Sequence, residues 1–167
     1  MADVIWAPWR MEFISKQKSP GCVLCDYVGI APAPGTLVLA QRHLAYVVLN
    51  KYPYTPGHIM VVPKRHVAMP TELTEQEFSA MWGLVQASVA PLKGATGCDG
   101  MNLGMNLGRV AGAGISDHIH VHLVPRWEGD SNFMPVLGAT RVMPEHLDQT
   151  WHRLAQAFAE LPEEETL

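Results

Sequence analysis

Asp117-His118-Ile119-His120-Val121-His122-Leu123-Val124-Pro125 constrains this chain more than any other stretch. Its histidines alternate with apolar residues, the period-2 pattern of a strand. Residues two apart on a strand share a face. His118, His120 and His122 therefore point one way, and Ile119, Val121 and Leu123 point into a core. A row of imidazoles on one face has three readings: solvated histidines, a metal site, or a division of labour along the row. Geometry weighs against one metal tripod. A strand rises ~3.3 Å per residue, so the outer two Cα atoms lie ~13 Å apart, while metal–nitrogen bonds are about 2.0–2.1 Å.

The 167 residues suit one domain, read here as 1–167, and can bury a real core. Net charge is −4 and charged residues make up 17%, so a nucleic-acid surface is not expected. A local pocket can still take a small anion. No apolar run reaches the length of a membrane span. The opening Met1–Arg10 stretch lacks the basic-then-apolar order of a secretory leader. A cytoplasmic protein with reduced cysteines is expected.

In chain order, residues 1–20 read as an arm that packs Trp6 and Trp9 on the body. Thr36–Ala40, Ala45–Asn50 and His58–Pro63 read as strands, the last two joined by a Pro53–Gly57 turn. Thr71 or Thr74 caps a helix of about 15 residues with Phe78, Met81, Trp82, Val85 and Val89 at helical spacing, ending near Pro91. Residues 100–107 read as a fourth strand. A second helix spans Pro144–Leu161, with Leu147, Trp151, Leu154 and Phe158 on one face, before an acidic tail that closes the 144–167 segment. Strands, helix, strands, helix, without βαβ repetition, predict an α+β fold with helices on one face of an antiparallel sheet.

Cys22-Val23-Leu24-Cys25 matches half of a zinc site. Packed thiols and a redox dithiol are the alternatives, although Ser19-Pro20-Gly21 ahead of the pair reads as a turn, not the strand that usually precedes a redox pair. Cys98, between Gly97 and Asp99, reads as a packing or loop residue.

Asn106 and a glycine-rich loop, Gly108 to Gly114, lead into the histidine row. Such loops bring backbone N–H groups close to anions. A neutral imidazole can attack phosphorus while neighbouring donors neutralise the oxygens. The middle residue, His120, is flanked by both others, so phosphoryl or nucleotidyl transfer through His120 is the chemistry expected.

His118-Ile119-His120-Val121-His122-Leu123-Val124 resembles the signature of the histidine-triad (HIT) family, H-φ-H-φ-H-φ-φ with φ apolar. Asn50 with His58, and Pro56-Gly57-His58-Ile59-Met60-Val61, are similar to that family's Asn-x7-His spacing and its P-G-H strand. The Trp6–Arg10 arm, Val124-Pro125-Arg126-Trp127 and Asn132-Phe133-Met134-Pro135 resemble its bacterial branch near diadenosine tetraphosphate phosphorylases and hydrolases. The resemblance implies a five-stranded antiparallel sheet with two main helices, a homodimer, and cleavage of dinucleoside polyphosphates through a nucleotidyl-histidine intermediate. It implies His120 as nucleophile, His122 as donor to phosphate oxygens and His58 as the histidine that orients the nucleophile. Asn50 would hold the ribose, and Asn106, Gly108, Gly114 and Ser116 would line the phosphate side. The substrate would be a nucleotide containing AMP or ADP. Zinc-bearing relatives imply a structural Zn2+ on Cys22, Cys25, His66 and His118, with no organic cofactor. That division frees His120 from the metal.

Relatives carry a side-chain donor ahead of the triad where this chain reads Ala113-Gly114-Ile115. Backbone N–H groups or Ser116 would substitute. The departure leaves open whether the acceptor is water or inorganic phosphate. It also keeps a second reading, a nucleotide-binding regulatory module with little or no turnover. A third reading, a zinc enzyme with the whole row as catalytic ligands, stays open too.

Overall fold

The computed structural model describes residues 21–130 and 145–161. The Trp6 and Trp9 arm, Asn132–Pro135, Pro144 and the acidic tail lie outside the described residues. Five strands form one antiparallel sheet: β1 (Val38–Gln41), β2 (Ala45–Leu49), β3 (Ile59–Pro63), β4 (Gly100–Gly104) and β5 (Val121–Arg126), in spatial order β1-β2-β3-β5-β4. Two helices, α1 (Glu75–Thr96) and α2 (Leu147–Phe158), complete the α+β fold.

β-Branched and aromatic residues fill β2 and β3, the composition that pleated, buried surfaces favour. Alternation sorts them onto two faces. Val47, Leu49, Ile59, Val61, Val121 and Leu123 pack with Met81, Val85 and Leu92 of α1 and with Trp151, Leu154 and Phe158 of α2. Full burial of each such side chain stabilises by about 1.5–3 kcal/mol. Both helices therefore cover one face. Tyr46, Val48, Met60 and Val62 point to the other, where Leu24 packs on them. His122 pairs with Met60 across the β3–β5 ladder and so shares this second face.

Thr74 caps α1: its Oγ1 accepts the Glu77 N–H at 3.2 Å, while Glu77 Oε2 accepts the Thr74 N–H at 2.8 Å. The helix runs five residues past Pro91, where the sequence suggested it would end. Proline removes one N–H, yet continuing the helix buries Leu92 completely. It stops at Gly97, whose φ of +62° makes a left-handed cap. Of the residues at helical spacing, Met81 and Val85 are buried, whereas Phe78 is exposed.

The histidine segment is a strand only in its second half. β5 begins at Val121, so His118 and His120 precede the ladder. The β3–β5 register, Ile59 with Leu123 to Val61 with Val121, would next bring Ile119 opposite Pro63. Pro63 has no N–H to donate. The Ile119 N–H goes instead to the Val67 carbonyl at 2.7 Å.

Candidate active site and metal centre

Each histidine of the row has a different partner. His118 is fully buried and its Nε2 donates to the Pro63 carbonyl at 2.8 Å. A nitrogen that donates to a carbonyl carries the proton, so Nδ1 of the neutral ring holds the lone pair. That atom lies 3.4 Å from Cys22 Sγ and 3.6 Å from Cys25 Sγ. His66 Nδ1 lies 3.2 Å from Cys25 Sγ. The four donor atoms of Cys22, Cys25, His66 and His118 sit within 4.8 Å of one another.

This Cys2His2 set fits a tetrahedral zinc ion. The outer nitrogen of His118 is braced as metal-bound imidazoles require, by the Pro63 carbonyl, and the Asp117 carboxylate lies 4.0 Å from His66 Nε2, beyond hydrogen-bond reach. The surroundings are short of positive charge. Burial, the adjacent Cys22, and the carboxylates of Asp26 and Asp117 push the Cys25 thiol up to about 11. A bound dication would reverse that balance. The CxxC turn is itself held from below, because the buried Tyr46 hydroxyl donates to the Leu24 carbonyl. Sequence reasoning missed Tyr46, because nothing in its spacing announced a bond to the CxxC turn.

His120 is the second kind of histidine. Its Nδ1 donates to the His118 carbonyl at 2.8 Å. Nε2 therefore keeps its lone pair. Burial pushes the imidazole pKa down from its usual value, against the opposing pull of the His118 carbonyl. A neutral, aimed ring nitrogen can act as a nucleophile.

His122 is the third kind. Its Nδ1 lies 2.9 Å from His58 Nε2, and its ring meets the His120 ring edge-on at 4.8 Å between centroids. His58, expected to orient His120, bonds to His122, and His120 takes its orienting bond from the His118 backbone. The reason is register: Met60 is opposite His122, so His58, two residues earlier on the same face, reaches the outer histidine of the row.

Asn50 belongs to the same support. Its Oδ1 accepts the Tyr52 N–H at 2.9 Å, which turns its NH2 toward the His58 ring, 3.3 Å from Nδ1. β4 ends at Gly104, opposite His122, so Asn106 lies two residues past the ladder, half-buried. The glycine loop folds on itself: Gly108 has φ +79° and accepts the Ala113 N–H at its carbonyl, 3.3 Å away. Gly114 and Ser116 lie half-buried in the lead to His118. His43, His146 and His152 are exposed. Cys98 is buried in packing. Among the described residues, no helix is long and apolar enough to cross a membrane.

Comparison with known proteins gives a consistent picture. The HIT domain pattern matches residues 33–129. The chain is 36% identical over 167 aligned residues to an AP-4-A phosphorylase of Mycobacterium tuberculosis, covering 95% of this chain and 85% of that protein. It is 32% identical over 93 residues to a bis(5'-adenosyl)-triphosphatase of Dictyostelium discoideum, covering 56% of this chain and 62% of that protein. The crystal structure of a Zn-bound histidine triad family protein from Mycobacterium smegmatis is similar, with a TM-score of 0.66 and 29% identity over 84% of this chain and 94% of that one.

Proposed function

The chain belongs to the HIT domain family, and on that premise we propose that it cleaves dinucleoside polyphosphates of the diadenosine tetraphosphate type at the α-phosphate. The observation that carries the reading is the proton on His120 Nδ1, tied to the His118 carbonyl at 2.8 Å, which leaves Nε2 as a free lone pair. Nε2 attacks the α-phosphorus, a P–N bond forms, and the P–O bond to the remaining polyphosphate breaks. Its departure yields a nucleotidyl-His120 intermediate. An acceptor oxygen then attacks the same phosphorus and releases His120. His122 donates to the phosphate oxygens, and His58 holds His122. Asn50, Asn106, Gly108, Gly114 and Ser116 line the nucleotide, with Asn50 toward the ribose.

Cys22, Cys25, His66 and His118 would hold a structural zinc ion, which would supply a rigid cross-link between the CxxC turn and the triad. The similarity to a phosphorylase favours inorganic phosphate as acceptor; water is the alternative. Product analysis separates them. Diadenosine tetraphosphate with inorganic phosphate would give ADP and ATP, and without phosphate little turnover. AMP and ATP in both cases would identify a hydrolase. Tight AMP binding with no turnover of either kind would instead favour a nucleotide-binding regulatory module.

We also infer a homodimer. β4 is an edge strand, Gly-Met-Asn-Leu-Gly, with no charge or proline to block pairing and with Leu103 47% exposed. A second copy could extend the sheet there. Light scattering at the mass of one chain would remove this inference. The free thiols of Cys22, Cys25 and Cys98 suit a reducing cytoplasm.

A further inference from the structure

We propose that Tyr54 is a positioning residue whose backbone N–H fixes the protons of the His58–His122 pair, so that His122 turns Nε2–H toward the substrate. The inference rests on the phosphate-side role proposed for His122. Tyr54 N–H donates to His58 Nδ1 at 3.0 Å. An acceptor nitrogen carries no proton, so the neutral His58 ring holds its proton on Nε2. That proton faces His122 Nδ1, 2.9 Å away. His122 Nδ1 must then accept, and the proton of neutral His122 lies on Nε2, its only other nitrogen.

The opposite arrangement is excluded at its first link. A His122 that donated from Nδ1 would need an unprotonated His58 Nε2, and hence a proton on His58 Nδ1. Two N–H groups would then face each other across the 3.0 Å contact with Tyr54. The Asn50 NH2 lies 3.3 Å from Nδ1 and 3.4 Å from Nε2 of the same ring and does not discriminate between the two states, so the Tyr54 amide decides.

The Tyr54 ring adds to the amide. It stacks on His58 at 4.7 Å between centroids and an angle of 23°. It stands 6.0 Å from the His122 ring. The turn that carries it is pinned at Thr55, whose Oγ1 donates to the Pro125 carbonyl at 2.8 Å, and at His58, whose N–H donates to the Thr55 carbonyl at 3.2 Å. Tyr54 is thereby held between β3 and β5, against both histidines.

The test reads tautomers directly, by long-range 1H–15N correlation spectra of the 15N-histidine-labelled full chain. The wild-type protein should show His58 and His122 each as a single Nε2–H tautomer. Tyr54→Phe should keep both, since it keeps amide and ring. Tyr54→Ala, which loses the ring and keeps the amide, should also keep both; Tyr54→Pro loses the N–H donor together with the ring, and in it alone His58 should lose its single tautomer, His122 should acquire an Nδ1–H population, and kcat should fall roughly 10-fold or more with KM little changed. A folded Tyr54→Pro variant with both tautomers intact would overturn the proposal. If that variant does not fold, the wild-type spectrum decides alone: a proton on His58 Nδ1 or His122 Nδ1 overturns it. Correct tautomers without dinucleotide turnover would count against the proposed function and leave the positioning role in place.

Discussion

The His118 carbonyl accepts the Nδ1 proton of His120 at 2.8 Å, while the His118 ring closes a four-donor Cys/His cluster. One residue thus joins the metal centre to the proposed nucleophile. Its side chain is held by Pro63 and the cluster, and its backbone aims the next ring in the row. An ion that fixes the His118 ring also fixes the peptide on which His120 depends.

Loss of the metal should therefore reach the chemistry. Cys25→Ser should bind no zinc by elemental analysis, melt at a lower temperature, and lose about 10- to 100-fold in kcat, the range found for groups that support a site from outside it. KM should move little. A zinc-free variant with wild-type kcat would show that the cluster is only a fastening for the 22–27 turn.

Gly57 sets the approach to His58. Its φ is +81°, and an added Cβ would meet Thr96 Cγ2 at 2.8 Å and Pro125 Cγ at 3.4 Å. The left-handed conformation alone costs a non-glycine residue about 1–2 kcal/mol. Gly57→Ala should lower Tm by about 2–8 °C, taking 2–4 °C per kcal/mol for a domain of this size. It should also lower kcat, because His58 moves with the turn. Differential scanning calorimetry and steady-state rates check the two effects together.

Acid should act through Glu77. The Arg65 guanidinium, bonded to both carboxylate oxygens at 2.7 and 2.6 Å, holds its pKa at about 2 instead of the usual 4.5. A depressed carboxylate stabilises the fold fully above its unfolded pKa and loses that contribution as pH falls toward its folded one. Glu77→Gln should therefore lower Tm at pH 7, and its gap to wild type should narrow between pH 4.5 and about 2. The pair also braces the loop that carries His66, since Arg65 Nη2 donates to the Glu72 carbonyl. A gap that is constant with pH would mean that the pair contributes through packing alone.

Much of this was legible in the sequence because it rests on period and cap. Five strands, two helices, the helical face of Leu147, Trp151, Leu154 and Phe158, and the Thr74 cap all follow from local spacing. The Cys22, Cys25, His66 and His118 grouping came from resemblance, and the fold brings the four together. What the sequence hid was non-local or backbone-borne. Pro63 ends the ladder one rung early because register puts its missing N–H opposite Ile119. Pro91 fails to end α1 because Leu92 has a core to enter. Tyr54 works through its amide and Tyr46 through a hydroxyl that reaches another segment; no periodicity marks such roles. His58 was assigned to His120, but cross-strand register delivers it to His122.

The most direct test is to trap the covalent intermediate. The protein is mixed with diadenosine tetraphosphate without inorganic phosphate, quenched within the first turnover at alkaline pH where a phosphoramidate survives, digested, and read by mass spectrometry. The predicted result is an adenylyl group on the peptide containing His120, absent from His120→Gly, which should also lose turnover. An adduct on another residue, or full turnover by the His120→Gly variant, would contradict nucleophilic attack by His120.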